Sequence, residues 1–336
     1  MKDILNKLLI IRTPGIGPVK YRSLLNEFNS DENILDHLDL TDDFIDTVKR
    51  EIDKAYDMGV EYICDTDPRY PIGLLNVKNH PVVISVRGNV KTLSKQCVSI
   101  VGTRHSTAAG MSFISDIAQE FANNDFAVVS GMAMGTDSAA HIGALRTNGN
   151  SQTIAVLAGG VDYIWPLENE SLYYEILERG AIISEMPVGM MPNAQNFVQR
   201  NRWVAAISDT LIIGEADAKS GSMTTARFAI DYKKRVFAIP GHPSDARSEG
   251  PNYLIKNGMA TLCMGVNDFF GNKKEEKNIK NNNQKNEILD KLGMIPVSES
   301  VLANLVKKSI SEIKSDLVVL ELQGLIRKQD GGYVLN

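Results

Sequence analysis

Residues 97–106 read CVSIVGTRHS, and the folding of this stretch governs the reading of the rest of the chain. An apolar run at 98–101 stops abruptly at Gly102-Thr103-Arg104. Met111, Ile114, Ala118 and Phe121 then recur on one face at helical spacing. The pattern predicts a buried strand that feeds a helix through a Gly-Thr-Arg turn. Such a turn suits an anion. The glycine lets backbone N–H groups come close, the helix N-terminus adds partial positive charge, and Arg104 adds a full one.

The same grammar repeats downstream. Apolar runs at 126–129, 153–158, 181–184, 210–214 and 236–239 read as strands. Small or polar turns follow several of them: Ser130-Gly131-Met132-Ala133-Met134-Gly135, Gly159-Gly160, Asp217-Ala218-Lys219-Ser220-Gly221 and Pro240-Gly241. One helix is expected from Thr136 or Asp137, either of which can cap it. Others are expected over about 169–179, over 197–207 with Arg200, Asn201 and Arg202, and from near Ser222 to Lys233-Lys234. Short buried strands alternating with helices predict an α/β, Rossmann-like domain with a parallel sheet covered on both faces, placed at 63–270. Ligands of such sheets bind outside the carboxyl ends of the strands, where these loops fall. Residues 63–96, with Pro71, Pro81 and an apolar run at 82–86, are expected to give edge strands and connections.

Residues 1–62 read as a small helical domain of helix-hairpin-helix or SAM-like type. Leu5, Leu8 and Leu9 precede the turn Thr13-Pro14-Gly15-Ile16-Gly17-Pro18, and Tyr21, Leu24, Leu25 and Phe28 follow it. Two readings stay open: a turn that holds a DNA phosphate with Arg12, Lys20 and Arg22 nearby, or a plain helical hairpin. Residues 271–285, GNKKEEKNIKNNNQK, read as a flexible linker. Residues 286–336 read as a winged helix. Ile288, Leu289 and Leu292 suggest a first helix, Val301, Leu302 and Leu305 a second, and Ser309-x-x-Glu312 is a capping box opening a third. Asp330-Gly331-Gly332 is the turn of a hairpin. The third helix begins with Ser311, Glu312, Lys314, Ser315 and Asp316, a mixture that favours a protein contact over a DNA groove.

The totals set limits. A hydrophobic share of 43% and a charged share of 23% over 336 residues fit a globular protein with one large and one or two small domains. The net charge of −5 hides an uneven spread. Residues 30–67 hold 13 acidic and 3 basic residues, whereas 199–247 hold 8 basic and 5 acidic. The three cysteines, at 64, 97 and 263, form no CxxC, which speaks against a disulfide framework or zinc site and for a reducing compartment. The N-terminal apolar run is short and broken by charges, unlike a signal peptide or a membrane span. A cytoplasmic protein with no membrane partner is expected.

Neither G-x-x-x-x-G-K-[ST] nor a G-x-G-x-x-G opening at Gly102 is present, which disfavours P-loop and dinucleotide chemistry. His141, beside Ala139 and Ala140 in a helix, reads as packed or capping. Asp137 reads as a helix cap and Asp162 as a turn residue. Ser130 and Ser222 lack a nucleophile-elbow context. What remains is a row of anion-holding loops without an evident reactive group. That favours binding over catalysis, with no cofactor, no metal and no catalytic residue expected.

Seven segments in order and spacing, VGTRHS, SGMAMGTDSAAHIGAL, TIAVLAGGVDYIWP, ISEMP, FVQRNR, EADAKSGSMTTA and FAIPGHP, resemble the DNA-processing protein A family (DprA, also called Smf). The resemblance covers about 63–265. It implies a Rossmann-like core with a helical N-terminal domain and, in many members, a C-terminal winged helix. It further implies a non-enzymatic recombination mediator that binds single-stranded DNA as a homodimer, protects incoming DNA in natural transformation and loads the RecA recombinase. Carried over by matching motif, the DNA contacts are Gly102, Thr103, Arg104, Ser130, Gly131, Gly135, Gly159, Gly160, Arg200, Arg202, Lys219, Ser220, Gly221 and Ser222, with Asn201 bracing the loops. Met134 stands where the family usually has Arg or Lys, and Val198 where it usually has Pro. Trp165 stands where Tyr is more usual, and either packs in the core or stacks on a base. A nucleotide-processing enzyme on the same kind of fold, with Asp137 or Glu215 as acid or base, is the alternative.

Overall fold

The computed structural model describes residues 2–147, 153–270, 288–292, 296–322, 324–329 and 331–335. The expected linker at 271–285 and Asp330 of the expected hairpin turn lie outside them. The chain divides into two compact units, Met1–Asn272 and Lys273–Asn336.

The first unit is built on nine strands: β1 Val60–Cys64, β2 Val83–Gly88, β3 Cys97–Val101, β4 Ala127–Ser130, β5 Thr153–Val156, β6 Ala181–Ser184, β7 Thr210–Ile213, β8 Arg235–Ala238 and β9 Thr261–Leu262. They form one sheet in the order β1-β2-β6-β5-β4-β3-β7-β8-β9. From β6 to β9 all pairings are parallel, while β1–β2 and β2–β6 are antiparallel. β4, β5, β6 and β7 are buried at every position, as strands covered on both faces must be. The chain winds from β3 through β4 to β5 and β6 in one direction. It then returns to the other side of β3 at β7, which opens a crevice at the β3–β7 switch point.

Helices cover the two faces. On one, helices Ala194–Ile207 and Gly221–Asp231 approach closely through Ala205, Ala206, Ala226 and Ala229. On the other, helices Ala108–Asn123 and Thr136–Leu145 bury Ile114, Ile117, Ala118, Phe121, Ala140 and Ala144.

Two expectations are corrected. The boundary at 62/63 falls inside β1. Helix Asp42–Asp57 ends at Met58 and at Gly59, whose φ of +67° turns the chain straight into that strand. The helical segment also shares its core with the sheet, because Leu8, Ile10, Tyr21, Ile34 and Val48 cluster with Cys64, Val82 and Val83. Residues 82–86 do not form an edge, since β2 lies between β1 and β6.

The second unit has helices Glu299–Val306 and Ile310–Leu322 and a hairpin of β10 Ile326–Gln329 and β11 Gly332–Leu335. The capping box forms: Ser309 N donates to Glu312 Oε2 at 2.9 Å, and Glu312 N to Ser309 Oγ at 3.3 Å. Of the expected first helix, the described residues hold one 3-10 turn, Leu289–Lys291. The order is that of a winged helix. Val318, Val319 and Leu322 of the third helix are exposed, so that helix shows an apolar surface.

Candidate functional site

The loops beyond β3 and β4 are locked together by backbone. Gly135, at φ +75°, leaves no room for a side chain, since a Cβ would sit 2.5 Å from Thr103 O. A Cβ on Gly102 would collide with the Thr136 side chain. Thr103 N donates to Glu215 O at 2.6 Å, and Ser222 Oγ donates to Gly102 O at 2.6 Å. The carboxyl ends of β3 and β7 and the start of helix Gly221–Asp231 thus become one rigid edge.

On the sheet face that carries helices Ala194–Ile207 and Gly221–Asp231, these loops surround a groove of about 250 Å³. Of the residues named from sequence, Gly102, Thr103, Arg104, Gly131, Arg200, Asn201, Ser220, Gly221 and Ser222 line it. Ser220 Oγ accepts from Met223 N, a neutral cap that leaves the positive end of the helix dipole uncompensated. Arg104 is exposed, and its guanidinium lies 4.9 Å from the Trp165 ring and 5.8 Å from that of Phe197. Those two rings pack 4.6 Å apart. Among the described residues neither Arg104 nor Lys219 makes an ion pair, and Lys219 is exposed on the adjoining loop.

Arg200 differs from Arg104. It is 5% exposed, and its Nη1 donates to Val156 O at 3.0 Å and also to Gly131 O. Asp137 is buried beside it, and its Oδ2 accepts from Ala133 N at 3.3 Å. Burial pushes the Asp137 carboxyl up and Arg200 down, and each group's charge opposes the shift of the other. The floor of the groove is therefore a buried arginine braced by two backbone carbonyls, with a buried carboxyl beside it. Arg200 Nε has no partner among the described residues.

The remaining named residues lie elsewhere. Ser130 is fully buried and donates to Ile100 O at 2.7 Å. Gly135 caps helix Thr136–Leu145. Gly159 lines a small recess next to the groove, with Trp165, Phe197 and Arg200. Gly160 N donates to Met190 O at 2.9 Å. Arg202 Nε donates to Tyr232 OH at 3.4 Å, and its guanidinium lies over Trp203. Sequence reasoning missed Phe197, which with Trp165 seats Arg104. A lone Phe at the start of an amphipathic helix gives no signal of such a seat, whereas Trp165 is half-buried and had been singled out.

The opening expectation about helix Ala108–Asn123 is corrected. Its N-terminus holds an anion, but that anion is the chain's own. Glu215 Oε2 accepts from Thr107 N at 2.7 Å and Oε1 from Thr107 Oγ1 at 2.6 Å. Gly110 makes room, because a Cβ there would sit 2.8 Å from the carboxyl carbon.

Other candidates are tied into structure. Asp162 accepts from Lys54 Nζ at 2.8 Å and Gly189 N at 2.7 Å. His141 is fully buried, and its Nδ1 bonds Thr153 Oγ1 at 2.6 Å. Burial, aided by the Arg200 charge, holds its ring down at about 3. In the N-terminal hairpin Arg12 pairs with Glu51 and Arg22 with Asp65, each at 2.9 Å, which leaves Lys20 exposed.

The profile of the DNA recombination-mediator protein A family matches residues 61–273. The chain belongs to that family. The DprA winged helix domain matches at 273–332 and the DprA-like N-terminal HHH domain at 1–43. The chain is 32% identical to the DNA processing protein DprA of Bacillus subtilis over 66% of its own length and 78% of the relative's. It is 37% identical to Protein Smf of Synechocystis, a match over 60% of this chain and 51% of that one. Among solved structures it resembles DprA of Streptococcus pneumoniae, at a TM-score of 0.70 and 26% identity over 80% of this chain and 97% of that one. It also resembles DprA of Helicobacter pylori, described as having a unique single-stranded DNA binding mode. There the TM-score is 0.57 and the identity 33%, over 62% of this chain and 93% of that one. No helix among the described residues is long and apolar enough to cross a membrane.

Proposed function

We propose that this protein is a cytoplasmic recombination mediator that binds single-stranded DNA, works as a homodimer, protects incoming DNA in natural transformation and loads the RecA recombinase onto it. One observation carries the binding role: the Gly102–Arg104 turn, Gly131, Asn201 and the first turn of helix Gly221–Asp231 converge on a single groove. Its exposed cations, Arg104 and the neighbouring Lys219, have no carboxylate partner among the described residues. Free first-turn amides, a helix dipole and a guanidinium are the groups that hold a phosphate. The Helicobacter pylori neighbour supports the choice of a single strand. In this reading Gly102, Thr103, Arg104, Asn201, Lys219, Ser220, Gly221 and Ser222 meet the strand. Arg200, Ser130, Gly131, Gly135, Gly159, Gly160 and Arg202 shape and support the groove. Against a nucleotide-processing enzyme with either acid in catalysis, Asp137 is buried and accepts from Ala133 N, and Glu215 accepts from Thr107 N and Oγ1, bonds that support a structural role for both.

Titration with a labelled single strand and its duplex tests the reading. The single strand should bind more tightly. With about four phosphates neutralised, log K should fall with log salt at a slope of roughly −3. Equal affinity for the two, or a slope near zero, would overturn it.

A further inference from the structure

The loop after β4 forms one wall of the groove, and its middle residue has an uncommon backbone. Gly131 and Ala133 line the groove. Between them Met132 is left-handed, at φ +65°, a conformation that residues with a side chain seldom adopt. The Met132 side chain is buried in a core cluster with Leu145, Leu157 and Tyr173. Such a backbone persists only where its surroundings fix it.

The peptide unit between Met132 and Ala133 is held at both ends. Ala133 N donates to Asp137 Oδ2 at 3.3 Å, and Asp137 lines the groove. Met132 O accepts from Asn169 Nδ2 at 2.9 Å. The carbonyl and the N–H of a trans peptide point in opposite directions. Asn169 therefore draws the oxygen away from the groove, while Asp137 draws the N–H toward it. Asn169 ends the 3-10 turn Leu167–Asn169 and leads into helix Glu170–Arg179, yet its side chain makes no capping bond to that helix. It does not line the groove either.

We infer that Asn169 is a positioning residue for the single strand, acting from outside the groove by keeping the Met132 carbonyl turned away from it. A peptide turned over at this point would face its carbonyl oxygen toward a bound phosphate and repel it. The inference rests on the single-strand reading above and adds to it a residue that touches no DNA.

Asn169→Ala removes the amide and leaves every groove residue in place. Single-strand affinity at fixed salt should fall about fivefold, the effect of one hydrogen bond. The slope of log K against log salt should stay at the wild-type value, because no cation is lost. Arg179→Gln is the control. Arg179 Nη1 and Nη2 donate to Leu145 O and Thr147 O, each at 2.7 Å, from the far end of the same helix. That variant should lower the urea midpoint and keep the wild-type affinity. Three results would overturn the positioning role and leave the single-strand reading intact. The first is wild-type affinity in Asn169→Ala. The second is an equal loss of affinity in Arg179→Gln, which would tie the loss to general destabilisation. The third is a flattened salt slope in Asn169→Ala, which would make the lost contact an ionic one. A wild type that binds single strand no better than duplex would remove both readings.

Discussion

Two helix N-termini meet the carboxyl edge of this sheet, one on each face; each is capped by a hydroxyl, Thr107 or Ser220, but only the first has an acid bonded to its cap residue. Helix Ala108–Asn123 follows the Gly-Thr-Arg turn, and Glu215 closes it with a full negative charge. Helix Gly221–Asp231 follows Lys219-Ser220 and is closed only by a serine hydroxyl. Strand, small turn and helix are common to both. The charge of the cap decides which end remains open to an external anion. One side thus keeps a helix end open to a cationic groove, and on the other the end is backed by the chain's own acid.

The largest expected effect tests whether the groove is braced from below. Arg200→Leu would orphan the carbonyls of Gly131 and Val156 and leave the buried Asp137 without its facing cation. Urea denaturation should show a loss of about 3 kcal/mol. A loss below about 1 kcal/mol would mean that the loops hold the groove without Arg200.

His141 reports on the same floor through pH. Its ring is held at about 3, below the ordinary 6.5, first by burial and then by the Arg200 charge. A depressed value favours the neutral ring in the folded state. This stabilisation is complete above pH 6.5 and is lost as pH falls toward 3. Between pH 6.5 and about pH 5, the wild type should lose about 2 kcal/mol relative to His141→Gln. Parallel stability profiles for the two proteins would contradict the burial argument.

On the other face, Glu215→Ala removes the anionic cap of helix Ala108–Asn123. Stability should fall by about 1 kcal/mol. The salt slope of DNA binding should not change, because Glu215 is bonded to Thr107 and does not line the groove. A steeper slope in this variant would show that the two faces share one phosphate path.

Strands and helices of the core were legible because buried parallel strands read as unbroken apolar runs and their helices repeat at fixed spacing. The residues of the groove were legible as loops at strand ends. What could not be read was the role of each side chain. Arg200 and Arg202 sit two apart on one helix, so they point in different directions, one into the floor and one toward Tyr232. The partnership of Glu215 with Thr107 spans more than a hundred positions, and no local pattern carries it. β1 was missed for a related reason. VEYIC is short, follows a helix after only Met58 and Gly59, and becomes a strand by pairing with β2.

The smallest expected effect concerns the N-terminal hairpin, the other place where a Gly-x-Gly turn and basic residues suggested a phosphate. There the chain has supplied its own acids, as it has at Glu215. Arg12 is closed by Glu51 and Arg22 by Asp65, with both pairs largely shielded from water. Only Lys20 is left exposed and outside any ion pair among the described residues. An arginine without a carboxylate partner should behave differently from one that has it. Arg104→Ala should flatten the slope of log K against log salt by about 0.7, the loss of one phosphate contact on a single strand. Arg22→Ala and Lys20→Ala should leave that slope at the wild-type value. If Lys20→Ala flattened it as much as Arg104→Ala, the strand would run onto the hairpin, and the charge of the neighbouring acids would not be what selects the binding edge.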